Sequence, residues 1–236
     1  MSTEKIALGI LGGMGPQATI DLQQKILNLT AAQRDSEHMR VFVDNHPQIP
    51  DRIGAILRGT QSPAPAMQES LDKLAAMGAS CIVMPCVSAH YFIPECKIPK
   101  DVVFIDMLEL AAQACASRYP GKKVGVLCTV ATAQAGLFTR YLERHSVPCI
   151  YPKEEDQQTV GQLILDVKAG LNLTPVAASL HSIAAEMTTR GADYFVLACT
   201  EIPIIHSYDA LPYPCIDATY ELAKAAVLGC GYKITH

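Results

Sequence analysis

Eight short apolar runs punctuate the chain, and longer amphipathic stretches separate them. KIALGIL (5–11), MRVFVDN (39–45), CIVMPC (81–86) and VVFID (102–106) fall in the first half; KVGVLC (123–128), CIYP (149–152), YFVLAC (194–199) and PCID (214–217) fall in the second. Strands buried on both faces read as continuous apolar runs, so the pattern predicts parallel strands joined by helical crossovers. The stretches between them, such as Ala64 to Met77 and Pro175 to Thr189, carry apolar residues at mixed three- and four-residue spacing, as helices do. Each is followed closely by a glycine, Gly78 or Gly191, the residue helix C-termini prefer.

The two halves can be laid over each other. MGASCIVMPC (77–86) parallels RGADYFVLAC (190–199), with Gly-Ala near the start and Cys at the end of each, and the same interval of eight residues separates Gly78 from Cys86 and Gly191 from Cys199. Upstream, LGILGG (8–13) aligns with VGVLCT (124–129); downstream, FIDMLELAAQA (104–114) aligns with CIDATYELAKA (215–225). A diverged duplication of this length predicts an α/β fold of two pseudo-symmetric lobes, each a parallel sheet flanked by helices, with the active-site cleft between them. Residues 1–105 plus 217–236 are expected to form the first lobe and 106–216 the second, with the last helix, Ala218 to Leu228, returning to the first. Ligands of open α/β sheets bind beyond the carboxyl ends of the strands, where Cys86 and Cys199 both stand.

Composition removes several classes of function. The 236 residues are 50% hydrophobic and 18% charged, enough apolar material for one large domain or two small ones. Nineteen Lys and Arg against 23 Asp and Glu leave a formal charge of −4, which supplies no phosphate-neutralising surplus and no polybasic face. Nucleic acid and membrane are therefore not expected partners. The early apolar stretch Ile6 to Gly15 lacks a signal-peptide cleavage pattern and there is no 18-residue spanning run, so a soluble, cytoplasmic protein is expected. The nine cysteines are odd in number and contain no C-x-x-C pair, which argues against a disulfide framework or a Cys-rich zinc site.

Two cysteines at equivalent strand ends suit a reaction that needs a base on each face of a carbon. One thiolate removes a Cα proton, the opposite thiol returns one, and the roles exchange in reverse. Both cysteines are expected at helix N-termini, where thiol pKa values fall, with Ser88 as a cap in one case and Pro203 in the first turn in the other.

The segments GILGGMGPQAT (9–19), NHPQIPDR (45–52), PCVSAH (85–90), VGVLCTVAT (124–132), VKAG (167–170) and LACTEIP (197–203) resemble those of the cofactor-independent aspartate/glutamate racemases, and within them the aspartate racemase branch. The resemblance implies racemisation of an acidic amino acid as small-molecule substrate, without pyridoxal phosphate, other cofactor or metal. It implies Cys86 and Cys199 as the acid/base pair, and a homodimer. Carried over by position, Arg52 resembles the family's carboxylate-binding arginine, a bidentate grip suited to guanidinium, and Lys168 its second cation. Thr132 matches a hydroxyl donor. Met14 and Gly15 offer backbone N–H groups at a helix start, and Ser88 and Thr200 follow the two cysteines. His90 and Glu201 are expected to support the cysteines rather than carry protons.

One departure stands out. The family usually has Asn-Thr after the first cysteine, where this chain has Val87-Ser88, so a side-chain amide for the substrate is missing. Rival readings share the same residues. Gly13-x-Gly15-x-x-Ala18 fits a dinucleotide fingerprint, although the acid ending the second apolar run, Asp44, lies well beyond the roughly 20-residue interval that motif uses. The same fold could also serve an altered substrate, cysteine-based isomerase or decarboxylase chemistry, or non-catalytic binding of a small anion.

Overall fold

The run Leu8–Gly12 is buried along its whole length and forms the first strand, β1. It lies inside a parallel sheet with β2 (Val41–Asn45), β3 (Cys81–Val83) and β4 (Val103–Ile105) in the order β2-β1-β3-β4. Leu8 sits beside both Val41 and Cys81, and Val83 beside Ile105. A second parallel sheet of β5 (Val124–Leu127), β6 (Cys149–Ile150), β7 (Tyr194–Leu197) and β8 (Cys215–Asp217) has the order β6-β5-β7-β8. Counted within its own half, each sheet therefore runs second, first, third, fourth. The structure, a computed structural model, describes residues 5–235.

Helices cover the sheets: α1 (Pro16–Leu29), α2 (Arg52–Arg58), α3 (Ala64–Ala76), α4 (Met107–Arg118), α5 (Val130–Gln134), α6 (Leu137–Arg144), α7 (Glu154–Lys168), α8 (Leu173–Thr189), α9 (Ile202–Tyr208) and α10 (Ala218–Gly229). The spacing read from the sequence is what packs them. In α3, Met67, Leu71 and Leu74 are fully buried in a cluster with Leu11, Ile82 and Met84. Each such side chain contributes about 1.5–3 kcal/mol of transfer free energy. In α8, Val176, Leu180, Ile183 and Met187 pack with Leu127, Phe195 and Leu197. Both helices are followed by left-handed glycines, Gly78 at φ +98° and Gly191 at φ +96°.

The chain divides into two compact units. The first runs to Met107 and resumes at Thr219; the second is Leu108–Ala218. These breaks lie two residues beyond the expected ones at each crossing. The Met107 amide bonds to His90 of the first unit at 3.3 Å, and β8 keeps Asp217 beside Leu197 of the second. In the second unit α4 is tied by Glu109, which meets Arg144 at 3.0 Å and His145 at 2.6 Å. In the first unit the segment after α10 is stitched back on: the Cys230 carbonyl accepts from Ile6 N–H at 3.2 Å, and Thr235 N–H donates to the Leu29 carbonyl at 2.8 Å. Among the described residues no helix is long and apolar enough to cross a membrane.

Candidate active site

A parallel sheet ordered second-first-third-fourth reverses its winding between its first and third strands, and ligands gather at the carboxyl ends there. In the first unit that point lies between β1 and β3, and in the second between β5 and β7. Cys86 follows β3 and Cys199 follows β7.

Around the first switch point three loops meet. After β1 the chain turns at Gly13, whose φ of +90° and position leave no room for a side chain: a Cβ would lie 2.4 Å from the His46 backbone. This close approach joins the β1–α1 loop to the segment after β2, where His46 N–H donates to the Gly12 carbonyl at 3.3 Å. The Gly13 amide is spent internally on Thr19 Oγ1 at 2.9 Å. Met14 is buried and joined to Gly15 by a cis peptide; Gly15 precedes Pro16, the first residue of α1. Farther along the second loop, Asp51 caps α2 by accepting from the Ile53 and Gly54 amides. Arg52 Nη1 donates to the Ile49 and Pro50 carbonyls at 3.1 and 3.0 Å, which holds the guanidinium stem against its own loop.

Cys86 and Val87 are 7% and 3% exposed. The segment that follows, Ser88–Glu95, is a 3₁₀ helix rather than an α-helix, and it begins without a side-chain cap. The expected capping role of Ser88 is therefore corrected: it is the first residue inside the 3₁₀ turn, and Pro94 within the segment removes a backbone donor. His90 secures the turn. Its Nδ1 lies 2.8 Å from the Cys86 carbonyl, and its Nε2 receives the Met107 amide at 3.3 Å. An amide N–H can only donate, so Nε2 is the acceptor and Nδ1 carries the proton that bonds Cys86. Burial pushes the imidazole pKa down against the pull of Asp106, keeping this neutral tautomer.

The second switch point has a different chemistry. The Cys199 thiol, 6% exposed, donates to Glu201 Oε2 at 3.1 Å, and the Thr200 hydroxyl donates to the same oxygen at 3.2 Å. Lys168, the last residue of α7, brings Nζ to 3.7 Å from Glu201 Oε1. Burial first, and then the Glu201 charge, raise the Cys199 pKa well above the usual thiol range, with Lys168 opposing them. This corrects the expectation of a lowered pKa at a helix start: α9 does begin just after, with Pro203 in its first turn, but burial and then the carboxylate outweigh it. Glu201 does not cap α9 with its side chain; it receives the thiol. Thr132, fully buried, accepts from Thr129 Oγ1 at 3.0 Å, and Thr129 caps α5.

Sequence reasoning passed over Gln157. It is 7% exposed in α7 and donates from Nε2 to the Cys128 carbonyl at 2.7 Å. A glutamine among Glu154, Glu155 and Asp156 reads as a solvated helix start, so no pattern singles it out. A separate cavity of about 320 Å³ lies along α1, lined among others by Ile20, Leu27, His38 and Met39, and includes none of the residues expected at the site. Among the described residues no group of three or more His, Cys, Asp or Glu is placed to hold a metal ion.

The fold is shared with known proteins. The model of the Asp/Glu/hydantoin racemases matches residues 11–226. The chain is 31% identical to the Picrophilus torridus aspartate racemase, with a TM-score of 0.87, covering 97% of this chain and 96% of that one. It is 27% identical to the broad specificity amino-acid racemase RacX of Bacillus subtilis, over 93% of this chain and 96% of RacX. An aspartate racemase homologue from Pyrococcus horikoshii shares the fold at a TM-score of 0.74 and 16% identity, over 95% of this chain and 98% of that one. The chain belongs to the Asp/Glu/hydantoin racemase family of isomerases.

Proposed function

We propose that this chain racemises aspartate or a related amino acid by a two-base transfer, independent of pyridoxal phosphate and metal, in which Cys86 and Cys199 serve opposite faces of Cα. The observation that carries the reading is their equivalence: each follows the third strand of a sheet ordered second-first-third-fourth, at the switch point of its own unit. In one direction the Cys86 thiolate takes the Cα proton, and the electron pair is held as a carbanion delocalised into the carboxylate. The Cys199 thiol, kept protonated by burial and Glu201, then delivers its proton to the other face. The reverse direction exchanges the roles.

Arg52 and Lys168 are assigned to the substrate carboxylates, which a charge-assisted contact of this kind holds strongly. Met14 and Gly15 amides and the hydroxyls of Ser88, Thr132 and Thr200 supply further donors. Val87 leaves that corner of the site apolar, so aspartate is handled less well than by relatives with an amide there, and less polar side chains are admitted. The breadth named for RacX supports this. The protein is assigned to the cytoplasm as a homodimer.

The test is a racemisation screen over amino acids with purified wild type, Cys86→Ala and Cys199→Ala. Wild type is expected to racemise at least one substrate in the presence of chelator, and both folded variants to lose that turnover. Near-normal racemisation by either variant overturns the proposal.

A further inference from the structure

One buried polar atom in the second unit has no role in the transfer just described. The bond from Gln157 Nε2 to the Cys128 carbonyl, 2.7 Å long, fixes which end of the amide is nitrogen, because a carbonyl can only accept. The other end, Oε1, is buried and accepts no hydrogen bond among the described residues. Buried polar groups are nearly always paired, and an exception in a folded protein asks for an explanation.

The position of this oxygen is informative. Cys128 is the first residue past β5, and Ala198 N–H donates to the Leu127 carbonyl at 2.8 Å, so Cys128 and Cys199 leave neighbouring strands at the switch point. Adjacent strands lie about 4.8 Å apart, which sets the Gln157 amide within one side-chain length of the cysteine loop. Glu201 Oε1 at the same sheet end also lacks a hydrogen bond, but it has Lys168 Nζ at 3.7 Å as countercharge. For Gln157 Oε1 the missing partner must be a donor. Of the groups every α-amino acid carries, the carboxylate only accepts and the ammonium only donates.

We infer that Gln157 is a specificity residue whose Oε1 accepts a hydrogen bond from the α-ammonium of the substrate. The inference rests on the amino-acid racemase reading and adds to it a contact from α7 that separates amino acids from carboxylates of like shape lacking the amino group.

Calorimetric binding with matched ligands tests it: aspartate against succinate, and norleucine against hexanoate, on wild type and Gln157→Met. The variant should weaken the amino acids about ten- to a hundredfold while leaving the deaminated partners nearly unchanged. Gln157→Asn, which withdraws the carbonyl while keeping an amide, should show the same selective loss and serves if the Met variant does not fold. An equal loss for both members of a pair means a structural role and overturns the inference, as does a wild type that prefers neither amino acid to its deaminated partner. Selective binding without racemisation would overturn the racemase reading while leaving this contact standing.

Discussion

Cys199 keeps its proton first because it is buried and second because the Glu201 carboxylate lies beside it. Removing that charge leaves the burial but lets the opposing influence of Lys168 act without it, so in Glu201→Gln the Cys199 pKa should fall. Measured as the pH dependence of iodoacetamide labelling in a Cys86→Ala background, the midpoint should move to lower pH; an unmoved midpoint would mean Glu201 does not govern the thiol. Val87 is 3% exposed, so its isopropyl group fills buried space directly after Cys86. Restoring one hydrogen bond to a charged substrate is worth about 1.5–3 kcal/mol. Val87→Asn should therefore raise kcat/KM for aspartate relative to norleucine by roughly tenfold or more. Equal ratios before and after would show that another donor already fills this place. The two cysteines were legible in the sequence because a repeat sets them at matching positions. Gln157 and the thiol–carboxylate contact were not, since they depend on which helix face reaches a strand end.

At the scale of elements, the β3 exit is held by a single neutral imidazole bridging Cys86 and Met107. The His90 pKa is lower in the folded chain than the ordinary value near 6.5. Below that value the unfolded chain takes up a proton that the folded chain refuses, so stability is complete above about pH 6.5 and declines as pH falls through it. His90→Asn should cost about 1–3 kcal/mol at neutral pH through lost hydrogen bonds, yet show a shallower fall in Tm between about pH 6.5 and 5. Equal slopes would remove His90 from the account. Element positions were readable from apolar periodicity, and their ends less so. Helix α8 starts at Leu173, before the expected Pro175, because the Asn172 side chain caps it by accepting from Thr174 N–H. The turn after Cys86 is 3₁₀, which no capping pattern foretold.

At the scale of the whole molecule, the duplication written in MGASCIVMPC and RGADYFVLAC reappears as two sheets of one strand order. The chain crosses from one unit to the other after β4 and returns after β8. That much was legible because strand order follows from repeated βαβ units, whereas the crossings fall where individual bonds, such as Met107 to His90, hold a residue back. In the proposed mechanism two thiols each serve one face of the substrate. A single enantiomer of an accepted amino acid, turned over by wild type in D₂O and stopped early, tests it most directly by the isotope at Cα in each enantiomer. With two bases, the product enantiomer carries deuterium while the remaining substrate keeps its original hydrogen. Deuterium entering the unreacted substrate as fast as the product would show that one base serves both faces, and would contradict the account.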